Sequence, residues 1–313
     1  MASLERAILP TLIYCDLLDR PLTDLEIYKY LLGPNQRVSF FDFKQTLTEL
    51  VQTKKVESRN GLFFFIKRSN IIKIREKRLK LAQLKWKKLK KLSRWLTLVP
   101  FLRLAAVTGS LTAYNTRRES DFDLLIVAKN GRLWLARTLI TALTGLLGVR
   151  RHGTFTKDRI CLNCYLTQDS LKIKPQAKPH DFHSAQEYGR LTPLLEIEKG
   201  LYQKFLQKNS WLNQYLNFYP WPNNQTAKKI EPGKFLSLIR ETIEWLLEDA
   251  TGNWLEKKLG AWQTQRIKKK SETEPADQIY VSNECLMFHP KSKSYELVQK
   301  WQAKIDHLNA DYV

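Results

Sequence analysis

A chain of 313 residues is longer than one ordinary domain, and 43% hydrophobic with 11% aromatic residues gives two or three units enough apolar mass for a core each. With 12 glycines and 12 prolines it is neither fibrous nor of low complexity. Lysine and arginine exceed aspartate and glutamate by 52 to 31, a formal net charge of +21 that favours an anionic partner: nucleic acid, nucleotide or lipid headgroup.

Four cysteines (Cys15, Cys161, Cys164, Cys285) are too few for a disulfide framework, and reduced thiols in a cytoplasmic protein account for them. The N-terminus lacks the basic-then-apolar pattern of a signal peptide. The most apolar window, Leu133 to Val149, contains Arg137 and is short for a bilayer, so it reads as a buried helix and no membrane partner is expected.

In chain order, apolar residues recur at helical spacing from Leu4 to Leu18. After Pro21, Thr23 caps a second helix that ends near Gly33-Pro34. A third helix runs from Ser39 to Thr53 with Phe43, Leu47, Leu50 and Val51 on one face. Val56, the turn at Arg59-Asn60-Gly61 and the run Leu62 to Ile66 predict a β-hairpin. Three helices and a hairpin resemble a winged helix-turn-helix in layout. Such a unit reads DNA with its third helix or serves as a packing and partner module.

Thirteen basic residues fall between Lys67 and Arg94, against one acid, Glu76. Ile74, Leu81, Leu84, Leu89, Leu92 and Trp95-Leu96 are spaced to form one apolar stripe of a helix, with Lys85, Lys87, Lys88, Lys90 and Lys91 mostly off it. Three readings stay open: a linker helix with a solvated face, a face that binds RNA or DNA phosphates, or a helix on an anionic membrane.

Beyond Phe101 the pattern alternates. Leu102 to Val107, Phe122 to Ala128 and Ile160 to Leu166 read as strands, Leu111 to Thr116 and Leu133 to Leu147 as helices. After Pro179 helices are expected over Ser184 to Glu198, Leu201 to Leu216, Phe235 to Leu259 and Tyr295 to Leu308. The aromatic cluster Trp211, Tyr215, Phe218, Tyr219 and Trp221 reads as packing. The organisation is α+β: residues 1–68 as a winged-helix-like unit, 69–98 as a basic amphipathic linker helix, 99–178 around a small mixed sheet, and 179–313 mainly helical.

The chemistry concentrates in one stretch. Val107-Thr108-Gly109-Ser110 is followed, nine residues on, by Ser120-Asp121-Phe122-Asp123-Leu124. Residues two apart on a strand share a face, so Asp121 and Asp123 present two carboxylates while Phe122 and Leu124 enter the core. Two hard oxygen donors suit Mg²⁺ or Mn²⁺. Gly109 lets backbone approach a phosphate, and Ser110 adds a hydroxyl at the start of a helix.

This motif resembles the signature of the DNA polymerase β-type nucleotidyltransferase superfamily, over roughly Phe101 to Leu166. The resemblance implies a metal-dependent transfer of a nucleoside monophosphate from a nucleoside triphosphate to a hydroxyl on RNA, protein or a small molecule. It assigns Asp121 and Asp123 to metal and Gly109 and Ser110 to the nucleotide; Ser120 and Arg118, adjoining the acidic pair, are further candidate nucleotide contacts by position. Family members carry a third acid on a later strand, and Asn163 stands in its place; an amide cannot accept a proton near neutral pH. Asp158 and Asp169, at the two ends of that strand, are the substitutes in sequence. Tyr114 occupies a position where many minimal members have glycine, and Arg117, Arg150, Arg151, Lys157 and Arg159 are further cations near the motif. The alternative function is a nucleotide- and nucleic-acid-binding regulator on a catalytically impaired nucleotidyltransferase fold.

Two weaker patterns remain. Cys161-x-x-Cys164, with Cys285 and His289 as a remote pair, is a poor zinc site because an odd separation on a regular strand sends the two thiols to opposite faces. His180-x-x-His183 reads as a surface pair.

Overall fold

The computed structural model describes residues 2–33, 38–217, 219–220, 228–272, 279–288 and 294–310. Helix α1 (Ala2–Leu17) is followed by α2 (Asp24–Lys29) and α3 (Phe40–Gln52). A reciprocal capping box opens α2: the Thr23 hydroxyl accepts from the Glu26 N–H and the Glu26 carboxylate accepts from the Thr23 N–H. Ser39 caps α3, whose inward face is Phe43, Leu47 and Leu50, as its spacing predicts. Strands β1 (Glu57–Arg59) and β2 (Leu62–Phe64) pair antiparallel around Asn60-Gly61, both at positive φ, which suits a tight hairpin.

The basic segment forms α4 (Asn70–Ser93), continued by a short 3-10 turn at Arg94–Leu98. Its buried line is not the expected one. Ala82, Trp86, Leu89, Ser93 and Leu96 face inward, whereas Leu84 is 63% exposed and Trp95 is exposed too. Small Ala82 and Ser93 let the helix approach closely, and Lys85 points in rather than out. Lys85 is 3% exposed and its ammonium binds Asp158 Oδ1 at 2.7 Å and the carbonyls of Ser120 at 2.7 Å and Arg118 at 3.1 Å. Lys88 pairs with the other Asp158 oxygen at 2.9 Å.

A six-stranded mixed sheet lies at the centre. Its strands are β3 (Leu102–Val107), β4 (Phe122–Ala128), β5 (Ile160–Thr167), β6 (Thr192–Glu196), β7 (Ile279–Val281) and β8 (Cys285–Phe288), in the order β6-β3-β4-β5-β8-β7. Only β4 and β5 run parallel, and α6 (Leu133–Leu146) connects them. One face packs Leu104, Ala106, Leu125, Val127, Cys164 and Leu166 against the N-terminal helices, α7 (Phe182–Tyr188) and α8 (Leu201–Lys208). The other packs Ala105, Val107, Phe122, Leu124 and Ile126 against α4 and α6.

The region after residue 178 departs from its reading. The segment Ser184 to Glu198 is not one helix: α7 stops at Tyr188, and Thr192–Glu196 becomes the edge strand β6 beside β3. An apolar run buried on both sides carries no clear period, and Pro193 suits an edge strand. Strands β7 and β8 fall outside the expected elements, so three of the six strands follow residue 178 and the sheet spans that boundary. Phe235 to Leu259 divides into α9 (Lys234–Leu246) and α10 (Ala250–Ser271), and α10 packs on α6. A final helix, α11 (Ser294–Ala310), lies on α1, where Trp301 donates its indole N–H to the Pro10 carbonyl at 2.8 Å. Trp211 and Tyr219 are buried as packing residues, with Trp211 stacked on His180 at 3.9 Å; Phe218 and Trp221 lie outside the described residues. Among the described residues no helix is long and apolar enough to cross a membrane.

Candidate active site

Strand β3 delivers Thr108, whose N–H bonds the Asp123 carbonyl at 3.0 Å, so the turn after β3 is tied to β4. Gly109 then takes φ +70° and opens the single helical turn α5 (Gly109–Thr112). A side chain here would meet the site directly: a Cβ on Gly109 would lie 2.7 Å from Asp123 Oδ2. Glycine is thus required both for the backbone angle and for the approach to the carboxylate.

On β4, Phe122 and Leu124 are buried in the α4–α6 side of the core, and Asp123 projects to the opposite face, as the two-residue period predicts. One ligand atom each from Asp121, Asp123 and the Cys161 thiol lies within 4.8 Å of the other two, a group able to hold a metal ion. Arg151 spans two of them, donating Nη1 to Asp121 Oδ2 at 2.7 Å and to Cys161 Sγ at 3.3 Å.

Burial, then the charges of Asp121 and Glu187, push the Asp123 carboxyl up to about 7, against the opposing pull of Arg151 and of a hydrogen bond from Cys161. Burial and the same two aspartates push the Cys161 thiol up to about 12. Two carboxylates crowded in this way are relieved by a divalent cation, which would displace the Asp123 proton; the carboxylate pair therefore fits a hard metal ion, to which the neutral Cys161 thiol adds no charge.

A bulge in β5 explains how Cys161 and Asn163 both reach the site. Leu124 opposes Leu162, but Leu125 opposes Cys164, so Asn163 is the extra residue. Its side-chain amide donates to Asp123 Oδ1 at 3.2 Å. The irregularity also overturns the expectation that Cys161 and Cys164 face opposite ways. Cys164 packs with Leu125 and Leu166 on the face from which Asp123 projects, and it is buried together with Cys285. His289 lies outside the described residues.

Gly109, Ser110, Asp123 and Asn163 line one cleft of about 320 Å³. Its far wall was not legible in the sequence. It comes from Tyr14 and Arg20 at the end of α1, from His183 and Glu187 on α7, and from Lys178 and Arg190 on either side of that helix. The Tyr14 hydroxyl lies 2.8 Å from His183 Nδ1, so the histidine is a cleft residue rather than half of a surface pair. Burial holds its imidazole below the ordinary range. Lys178 pairs with Glu187 at 3.1 Å.

Other residues singled out in the sequence lie elsewhere. Ser120 accepts the Arg117 N–H in the turn before β4, and Arg118 is exposed with its carbonyl held by Lys85; neither lines the cleft. Asp158 is committed to Lys85 and Lys88, and Asp169 binds Asn130 at the other end of β5, so neither replaces the acid missing at Asn163. Tyr114 adopts φ +51° and packs against the core beneath α4 instead of entering the cleft. No family model, curated protein or solved structure matches this chain.

Proposed function

We propose that the protein is a divalent-metal-dependent nucleotidyltransferase that moves a nucleoside monophosphate from a nucleoside triphosphate to a hydroxyl acceptor. One observation carries the reading: the Gly109-Ser110 turn is pressed against Asp123 in a single cleft of mononucleotide size, with Asp121 next to Asp123 just outside the cleft lining. Such a turn offers backbone N–H groups and a hydroxyl to phosphate oxygens, while the two carboxylates would hold Mg²⁺ or Mn²⁺, hard cations that take oxygen donors. The metal, when bound, would neutralise charge on the transferred and leaving phosphates. The resemblance to DNA polymerase β-type nucleotidyltransferases supports the same assignment.

The remaining residues have definable tasks in this account. Arg151 orients Asp121 and is placed to swing onto phosphate once a metal takes its carboxylate partner. Asn163 fixes Asp123 but accepts no proton, so the acceptor hydroxyl must lose its proton to another group. His183 and Glu187 on the facing wall carry basic lone pairs, and a neutral His183 is able to accept that proton.

The N-terminal unit, read as a winged helix, acts in this account as a wall of the cleft through α1. Of its cations near α3, Lys44 pairs with Asp24 and Lys55 with Glu5, while Lys54 is exposed. Arg68, just before α4, and Arg75, Arg78, Lys85 and Lys88 on it bind acids or carbonyls of the protein, leaving the exposed Lys73, Lys77, Lys80, Lys87 and Lys91 as the face for an RNA or DNA acceptor.

Asn163 favours a second reading, a regulator in which the same cleft binds nucleotide without turnover. The two readings separate when purified protein is incubated with each α-labelled triphosphate, Mg²⁺ or Mn²⁺, and cellular RNA and protein. Metal-dependent labelling that is lost in an Asp121→Asn/Asp123→Asn variant supports transfer. Absence of label with triphosphate still bound supports the regulator.

A further inference from the structure

Arg190 follows α7 and is 5% exposed, yet it has no carboxylate partner among the described residues. Its guanidinium lies 3.6 Å from the centroid of the Tyr30 ring and donates Nη1 to the Gln186 carbonyl at 2.6 Å. Nε and Nη2 bond to nothing among those residues. The acids nearby are already engaged. Glu26 binds Arg20 at 2.9 Å and Arg75 at 2.6 Å, and Glu187 pairs with Lys178. The foremost charge acting on Arg190 is that of Arg20, which has the same sign.

A buried cation with two unspent donors is costly to fold around, and it is retained where something else brings the negative charge. Arg190 and Arg20 both line the cleft that holds Gly109, Ser110 and Asp123. We propose that Arg190, with Arg20 beside it, forms an anion subsite of this cleft that takes phosphate oxygens of a ligand when a shift of its side chain turns the unbonded Nε and Nη2 donors, enclosed in the ligand-free protein, into the cleft. The identity of that ligand rests on the nucleotidyltransferase reading: the phosphate belongs either to the triphosphate or to the acceptor. The planar guanidinium, already stacked on Tyr30, presents its donors in the fork that phosphate geometry matches.

The test is calorimetric binding in EDTA, where no metal contributes, using tripolyphosphate, a nucleoside triphosphate and ribose 5-phosphate as probes. Wild-type protein is expected to bind at least one of them, and Arg190→Met to bind it about tenfold or more weakly, the scale of a missing charge-assisted hydrogen bond. The ligand-free Arg190→Met protein is expected to melt at or above the wild-type temperature, because an unpaired buried charge is gone. Weakening of tripolyphosphate and triphosphate together assigns the subsite to the triphosphate, and weakening of ribose 5-phosphate alone assigns it to the acceptor. Should Arg190→Met fail to fold, Arg190→Lys carries the same test, since lysine keeps the charge and loses the fork. Equal affinity in wild type and variant, or no binding of any probe by folded wild type, overturns the proposal. Absence of nucleotidyl transfer with this pattern intact would remove the enzymatic reading and leave the anion subsite standing.

Discussion

Asn163 points its side-chain amide at Asp123 Oδ1, 3.2 Å away, where a third carboxylate would complete a metal site. The contact orients Asp123 and spares it a further negative neighbour. Asn163→Asp therefore trades stability of the ligand-free protein for metal affinity. The variant is expected to melt lower than wild type without metal at pH 8, to recover on addition of Mn²⁺, and to bind Mn²⁺ about tenfold more tightly. Calorimetric titration with Mn²⁺ checks this, and unchanged affinity would show that residue 163 does not face the ion.

The raised Asp123 carboxyl makes a pH-dependent stability prediction. An acid that titrates near 7 when folded and near 3.8 when unfolded costs the fold its full penalty above pH 7. Below the unfolded value the penalty is gone. Asp123→Asn should then raise the melting temperature of the metal-free protein at pH 8, by roughly 2 to 4 °C for each kcal/mol relieved, with the gain shrinking as pH falls from 7 towards 4. Calorimetric scans across that range decide it; a gain constant with pH would mean that Asp123 is not strained by its charge.

Gly109→Ala forces a Cβ to within 2.7 Å of Asp123 Oδ2 at a backbone angle that L-residues rarely adopt. The expected cost is about 1–3 kcal/mol in denaturant unfolding, together with weaker Mn²⁺ binding because the carboxylate must move. Loss of stability with metal affinity intact would separate the turn from the metal site.

On α4, replacing Lys80, Lys87 and Lys91 with glutamine should flatten the slope of log affinity for RNA against log salt by about 0.7 for each phosphate that these lysines neutralise. Lys85→Gln should instead lower the melting temperature, because its ammonium holds Asp158 and two carbonyls in the interior. An unchanged slope in the triple variant would remove this face from any nucleic-acid interface.

How far the sequence disclosed this arrangement follows from what each signal depends on. Strands Leu102–Val107 and Phe122–Ala128 and the face of Asp123 were legible because a turn and a short period are local properties. Strands β6 and β8 were not, because they form by pairing with β3 and β5 far away in the chain. Counting leucines misplaced the buried line of α4, which Ala82, Ser93 and a buried lysine define. The bulge at Asn163 escaped because a regular period was assumed, and with it went the position of Cys161. His183 stood in a pair that reads as surface and Arg190 in no motif; tertiary packing alone brings α7 to the cleft that the Gly109 turn lines.

The central claim, a metal–triphosphate site built on Gly109, Ser110, Asp121 and Asp123, is tested most directly by equilibrium binding of a non-hydrolysable nucleoside triphosphate with and without Mn²⁺. The account predicts affinity of about micromolar order with the metal, weakened roughly 100-fold both by its removal and by Asp121→Asn/Asp123→Asn. Affinity that ignores the metal and survives the double substitution would contradict it.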